Sequence, residues 1–242
     1  MNGGFMIILE RREKIVSILK ERRAAGIKEL AREVFTSEAS VRRDVAALEA
    51  EGIVRRSYGG VMLESYKNSV VPLELRDGEN SAVKEELARR AAALVSDGDT
   101  LMLDASSTVR RIVKYLGGKR NLTIITNNAR ILSECDDPEI KLYSCGGAYS
   151  RSAHAFVGAM AERFIAEVNA DILFFSSQAL SEDGEISDSS EEETAIRRVM
   201  LKRAPRRVFL CDSGKLFERR SFVLCRTDEV TDVICDKELP FL

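Results

Sequence analysis

Two groups of residues in this chain have the types and spacing to do binding chemistry. The first is basic: Arg42 and Arg43 stand side by side, and Arg55 and Arg56 repeat the pair a little downstream. An arginine fork fits a guanine edge or a phosphate with two parallel hydrogen bonds, so such pairs suit a nucleic acid. The second group is hydroxylic. Ser106-Ser107-Thr108 follows an apolar run that ends at Asp104 and precedes a helical pattern. Hydroxyls and N–H groups at the start of a helix make an anion seat that the helix dipole favours. Lys215, in Asp212-Ser213-Gly214-Lys215, could add the positive charge a phosphate wants, and Asn127 could give a sugar hydroxyl both a donor and an acceptor. Taken singly, each has a plainer reading: a solvated arginine pair, a helix cap, a loop lysine. The elements around them tip the balance.

A helix must position Arg42 and Arg43. Ser37 is a good N-cap, and Val41, Val45 and Leu48 follow at helical spacing as a stripe that faces a core. Ala39, Arg43, Ala46 and Ala50 then point the opposite way, with Ser40 and Arg42 on the flanks. An outward face of small residues and arginine can lie against DNA without obstruction. Gly52 suits the helix end, and Ile53 to Arg56, Gly59-Gly60 and Val61 to Leu63 read as a small basic hairpin. Upstream, a first helix over residues 10–25 stops at Gly26, and Ile27 to Val34 forms a second, buried through Ile27, Leu30, Ala31 and Val34. Two helices joined by the turn Phe35-Thr36-Ser37 make a helix-turn-helix whose second member reads the major groove, with the hairpin as a wing.

Residues 64–80 lack clear periodicity and contain Pro72 and Gly78, which suggests a linker with a short extended piece around Val70–Leu75. From Ser81 onward, apolar runs of four to six residues alternate with helical patterns. That alternation predicts right-handed βαβ units and a three-layer α/β domain with a largely parallel sheet. Ligands of such sheets bind beyond the carboxyl ends of the strands, where Asp104, Thr126-Asn127, Gly146-Gly147, Ser176-Ser177-Gln178 and Asp212 fall.

Hydrophobic content of 45% with 31% charged residues describes a globular chain, not a disordered one. Residues 1–60 carry 12 Lys and Arg against 9 Asp and Glu, and the remainder 25 against 30. The basic part is the part that holds the arginine helix, as a polyanion-binding head requires. Five cysteines with no C-x-x-C spacing read as small apolar residues in a reducing compartment, and one histidine, His154, offers little to a metal cage or a Ser-His-Asp triad. No apolar run has the length of a membrane span, and no basic residue precedes the short run Phe5–Leu9. A cytoplasmic protein without a metal or cofactor is expected.

Residues 11–63 resemble the N-terminal domain of DeoR-type bacterial transcription regulators. The third helix of that domain reads S-x-x-T-[IV]-R-R-D-L-x-x-L-x-x-x-G, followed by an arginine-containing hairpin and Gly-Gly. Here the match is Ser37-Glu38-Ala39-Ser40-Val41-Arg42-Arg43-Asp44-Val45, then Leu48, Gly52, Arg55-Arg56 and Gly59-Gly60, with Ser40 for the usual threonine. Residues 81–236 resemble the effector domain of the same regulators, with its D-x-G-[ST]-T, T-N, G-G and D-x-S-K. These stand as Asp104-Ala105-Ser106-Ser107-Thr108, Thr126-Asn127, Gly146-Gly147 and Asp212-Ser213-Gly214-Lys215. Ser106 replaces the family's glycine, Gly214 a common serine, and Arg197 after Glu193 the lysine of an E-x-x-x-K motif.

The resemblance implies a winged helix-turn-helix over 1–63, a linker over 64–80, and an effector domain over 81–242 similar in fold to ribose-5-phosphate isomerases and CoA transferases. It implies a repressor of carbohydrate genes controlled by a phosphorylated sugar. Ser37, Ser40, Arg42, Arg43, Arg55, Arg56 and Tyr58 would contact double-stranded operator DNA, with Arg43 reading bases and the hairpin pair mainly on phosphates. Asp104, Ser106, Ser107, Thr108, Asn127 and Lys215 would bind the effector. A homo-oligomer, dimer or tetramer, is expected because a head of net charge +3 binds DNA weakly alone. The alternative is a sugar-phosphate isomerase or deaminase with an accessory DNA-binding domain. Such an enzyme needs a positioned general base, and Asp104, Asp212 and Glu193 form no convincing acid/base pair.

Overall fold

The computed structural model describes residues 8–22, 24–50, 53–57, 60–63 and 73–239. The chain divides into two compact units, Met1–Gly78 and Glu79–Leu242.

The first unit contains α1 (Ile8–Arg22), β1 (Ala24–Ala25), α2 (Ile27–Glu33), α3 (Glu38–Ala50), β2 (Val54–Ser57), β3 (Gly60–Leu63) and α4 (Leu73–Gly78). Its core joins Ile15, Ile18 and Leu19 of α1 to Leu30 and Val34 at α2, to Val41, Val45 and Leu48 of α3, and to Ile53, Val54 and Val61 of the hairpin. Each set recurs at helical or alternating spacing, so each element buries one face. The sequence reading carries the first helix to residue 25. The helix instead ends at Arg22, and Ala24 and Ala25 pair with Met62 and Val61 as a third, antiparallel strand. Gly60 permits this closure: it adopts φ +143°, and a Cβ there would lie 2.6 Å from the Ala25 carbonyl oxygen. Leu73–Gly78 is helical with Leu73 buried, where the sequence suggested extended chain. Pro72 precedes it, and proline is tolerated at a helix entry because the first N–H groups lack intrahelical partners. The rest of the expected linker, residues 64–72, lies outside the described residues.

The second unit runs α5 (Ser81–Ala92), β4 (Thr100–Leu103), α6 (Ser107–Arg110), β5 (Thr123–Thr126), α7 (Ala129–Glu134), β6 (Lys141–Ser144), β7 (Ala148–Ser150), β8 (Ala155–Val157), α8 (Ala159–Ala166), β9 (Ile172–Phe175), β10 (Ala179–Leu180), β11 (Glu185–Asp188), α9 (Glu191–Leu201), β12 (Arg206–Cys211), β13 (Phe222–Arg226) and β14 (Asp232–Cys235). Six strands in the order β14-β12-β9-β4-β5-β6 form a sheet in which every pairing is parallel. The strands are buried on both faces. Leu101, Leu103, Phe174, Val208 and Leu210 pack with Leu87 and Ala91 of α5, while Met102, Leu173, Phe175 and Phe209 pack with Ile165 of α8 and Ile196 and Met200 of α9. That double burial is why these strands read as continuous apolar runs. The expected helix over 107–116 is one α-turn followed by a 3-10 stretch, Arg111–Tyr115. The sequence reading did not anticipate the antiparallel sheet β10-β11-β13 or the hairpin β7-β8.

Candidate DNA-reading face and sheet-rim site

Ser37 caps α3: the Ser40 N–H donates to Ser37 Oγ at 3.2 Å, and the Val41 N–H to the Ser37 carbonyl at 3.1 Å. Val41, Val45 and Leu48 are fully buried, which turns Arg42 and Arg43 to solvent. Arg43 Nη2 donates to Ser40 Oγ at 3.4 Å, and the Ser37 and Ser40 hydroxyls lie 3.0 Å apart. Arg43, Ser40 and Ser37 thus form one polar cluster at the start of α3. Arg42 lies 3.5 Å from Glu38 one turn back, with both side chains well exposed. Sequence reasoning missed Asp44, which is buried on the core side and held by Arg11 Nε at 2.6 Å and Arg12 Nε at 3.5 Å. Its signal was its place between Val41 and Val45 on the apolar stripe. Changing Ser37 to Ala should cost about 1 kcal/mol of head stability, the usual worth of a cap, read as an earlier denaturant midpoint for the first unit.

In the wing, Arg55 is exposed, and Arg56 is tied to α3. Its N–H donates to Glu49 Oε1 at 3.0 Å and its Nε lies 3.1 Å from Glu49 Oε2. Both side chains of that ion pair are substantially exposed, and such pairs contribute only about 0.2–1 kcal/mol, so a phosphate can displace the carboxylate at small cost. Gly52, Tyr58 and Gly59 lie outside the described residues.

The sheet reverses its growth between β4 and β9: β5 and β6 extend one side, β12 and β14 the other. Open parallel sheets form their ligand crevices at the carboxyl ends of such a switch. Asp104 stands there, fully buried. Its Oδ1 accepts from the Ser106 N–H at 3.0 Å, and its Oδ2 from the Ser176 N–H at 3.2 Å and from Arg197 Nε at 2.7 Å. Arg197 Nη1 donates to Asp188 Oδ2 at 2.9 Å, and Nη2 lies 3.9 Å from Glu193 Oε1. Burial disfavours the guanidinium charge, yet Asp104, Asp188 and Glu193 outweigh it and raise the arginine's pKa. Asp104 is therefore a strut that joins the ends of β4 and β9.

Ser106 Oγ accepts from the Val109 N–H at 3.1 Å. Two N–H groups that the sequence reading offered to an anion are thus already engaged, one by Asp104 and one by Ser106 itself. Ser107 and Thr108 are buried, and Arg111 Nη1 donates to the Ser107 carbonyl at 2.6 Å. Thr108 Oγ1 and Asn127 Oδ1, beyond the adjacent strands β4 and β5, are buried with no hydrogen-bond partner among the described residues. Asn127 Nδ2 donates to the Phe156 carbonyl at 3.2 Å. Lys215 lies past β12. Its Nζ donates to Ser176 Oγ at 2.9 Å and sits 3.3 Å from Asp212 Oδ2. Burial opposes ionisation of Asp212, but Lys215, Asn80 and Lys84 outweigh it and hold that carboxyl below the usual range. A chain of bonds therefore connects Lys215 through Ser176 and Asp104 to Ser106.

A winged three-helix head in one chain with a parallel α/β unit whose polar groups gather at the switch point defines a class: DNA-binding regulators that carry a sensor domain. The chain belongs to the DeoR family. Residues 11–67 match the DeoR-like helix-turn-helix domain, and residues 79–237 match the DeoR C terminal sensor domain. The chain is 31% identical over 229 residues, 94% of its length and 89% of the relative's, to the transcriptional repressor AccR of Agrobacterium fabrum. It is 33% identical over 216 residues, 86% of its length and 83% of the relative's, to a lactose phosphotransferase system repressor of Lactococcus lactis. A putative aga operon transcriptional repressor of Escherichia coli O157:H7 is 27% identical over 96% of this chain and 87% of that protein. Among solved structures, ribose 5-phosphate isomerase A of Methanocaldococcus jannaschii overlays with a TM-score of 0.42 at 19% identity, covering 57% of this chain and 55% of that one. The family places the chain among transcriptional regulators, not among enzymes. No helix among the described residues is long and apolar enough to cross a membrane.

Proposed function

We propose that this regulator represses carbohydrate-metabolism genes and that a phosphorylated sugar sets its hold on the operator. In this reading Ser37, Ser40, Arg42, Arg43, Arg55, Arg56 and Tyr58 contact double-stranded DNA. Ser106, Ser107, Thr108, Asn127 and Lys215 bind the effector, and Asp104 positions them. Residues 1–63 serve as the head, 64–80 as the linker and 81–242 as the sensor. The protein acts in the cytoplasm as a dimer or tetramer, since pairing weak heads raises affinity through effective concentration. The observation that carries the DNA reading is the exposed Ser37–Ser40–Arg43 cluster opposite a fully buried stripe. The effector reading is supported by Thr108 Oγ1 and Asn127 Oδ1, unpartnered at neighbouring strand ends, with the Lys215 ammonium anchored nearby on Ser176. Relatives named for lactose and aga systems support carbohydrate genes as the targets.

The test is fluorescence anisotropy on DNA from upstream of the protein's own gene, at fixed salt, with a panel of sugar phosphates. One member should shift the DNA affinity, and DNA should shift that member's affinity by the same factor. Lys215→Ala should abolish the shift and leave effector-free DNA binding intact. A panel that leaves affinity unchanged would sink the sugar-phosphate reading. Sedimentation of a 27.0 kDa species alone, with and without DNA, would sink the oligomer.

A further inference from the structure

Cys211 and Cys235 are the last residues of the neighbouring parallel strands β12 and β14, and they are register partners. Register partners project from the same face of a sheet, and adjacent strands lie about 4.8 Å apart. That separation falls inside the range a disulfide bridges, about 4.4–6.8 Å between Cα atoms. Cys211 Sγ donates to the Asp212 carbonyl at 3.5 Å and Cys235 Sγ to Asp236 Oδ1 at 3.8 Å, so both thiols sit at the strand ends. Cys211 is fully buried, while Cys235 lines an open cavity of about 400 Å³ with Arg90, Asp236 and Lys237. A small oxidant therefore has a route to one sulfur, and the other waits behind it.

We propose that Cys211 and Cys235 are a reversible redox pair that closes to an intrachain disulfide on contact with a hydroperoxide, and that closure displaces the turn Asp212–Lys215. In the first step Cys235 Sγ attacks a peroxide oxygen. An S–O bond forms, the O–O bond breaks, the thiol proton passes to the leaving oxygen, and an alcohol or water departs. Cys211 Sγ then attacks the sulfenic sulfur: an S–S bond forms, the S–O bond breaks, and water leaves with the Cys211 proton. The peroxide gains two electrons and the two thiols lose two hydrogens. The direction of attack follows from access and from the influence of each thiol on the other. The neighbouring Cys211 lowers the Cys235 thiol to about 7, while Cys235 and burial raise that of Cys211. Burial pushes Cys145 and Cys225 up to about 12 and also raises Cys135, so those thiols react poorly.

Both sulfurs adjoin the loop that holds Lys215. The Ser213 N–H and Oγ donate to the Asp236 carboxylate at 2.6 and 2.7 Å, which stitches the two strand ends together two residues past Cys211 and one past Cys235. Drawing the sulfurs to about 2.05 Å pulls on that stitch from both sides.

The full-length reduced chain is treated with one equivalent of hydrogen peroxide, alkylated and mapped by mass. The expected result is loss of two hydrogens, a link between the peptides that hold Cys211 and Cys235, and reversal by dithiothreitol. Cys211→Ser should stop at a Cys235 sulfenic acid that dimedone captures. Amides 213–216 should exchange faster in the linked protein than in the reduced one. Both cysteines still alkylated after peroxide, or a link through Cys135 instead, would overturn the pair. Equal exchange at 213–216 in linked and reduced protein would overturn the displaced turn.

Discussion

Arg197→Ala should cost the second unit about 3–5 kcal/mol, the scale for removing one partner from a buried ion pair. The arginine is 2% exposed and sits among Asp104, Asp188 and Glu193, none more than 2% exposed. Its removal strands those carboxylates where water cannot reach them, and the loss is that of an uncompensated charge more than that of a contact. A lysine control separates charge from shape. Arg197 uses Nε on Asp104 and Nη1 on Asp188, two carboxylates on elements far apart in the chain. A lysine ammonium keeps the charge but lacks the planar fork that spans both, so Arg197→Lys should fall between wild type and Ala. Denaturant unfolding read on the second unit alone decides this, because two units can unfold in separate transitions. An Arg197→Ala midpoint equal to wild type would mean that the cluster does not hold the second unit together.

That cluster also shows where sequence stops being informative. The resemblance set Glu193 and Arg197 in an E-x-x-x-K motif, and the two side chains lie 3.9 Å apart. The stronger partners, Asp104 and Asp188, could not be read from any local pattern, since only the parallel sheet and β11 bring them to α9. The six parallel strands were legible because burial on both faces leaves an apolar run. The short strands β10 and β11 were not, because a two-residue strand and one reading Glu185-Ile186-Ser187-Asp188 carry no such run. In the head, the capped helix and its buried stripe followed directly from spacing. The pairing of Ala24 and Ala25 with the wing did not, as alanine is the strongest helix former and only the close approach at Gly60 places the pair in a strand. The cysteines, read as inert fillers, became informative only once β12 and β14 were placed side by side.

Arg43→Ala should weaken binding to the preferred operator by about 1–3 kcal/mol and relax its sequence preference, without loss of folding stability. Arg43 is exposed and its recorded bond to Ser40 Oγ, at 3.4 Å, is long, so the fold loses little with it. The next residue gives the contrast. Asp44→Ala takes a buried carboxylate from Arg11 and Arg12 and loosens α3 from α1, so stability and DNA binding should fall together. Arg55→Ala should act in a third way, weakening all sequences alike and reducing the salt slope by about one. The three variants are compared by anisotropy on operator and scrambled DNA at several salt concentrations, beside a denaturant melt of each. An Arg43→Ala protein that folds as wild type and still prefers the operator to the same degree would remove α3 as the reading helix. A loss equal on operator and scrambled DNA would move Arg43 from the bases to the phosphates.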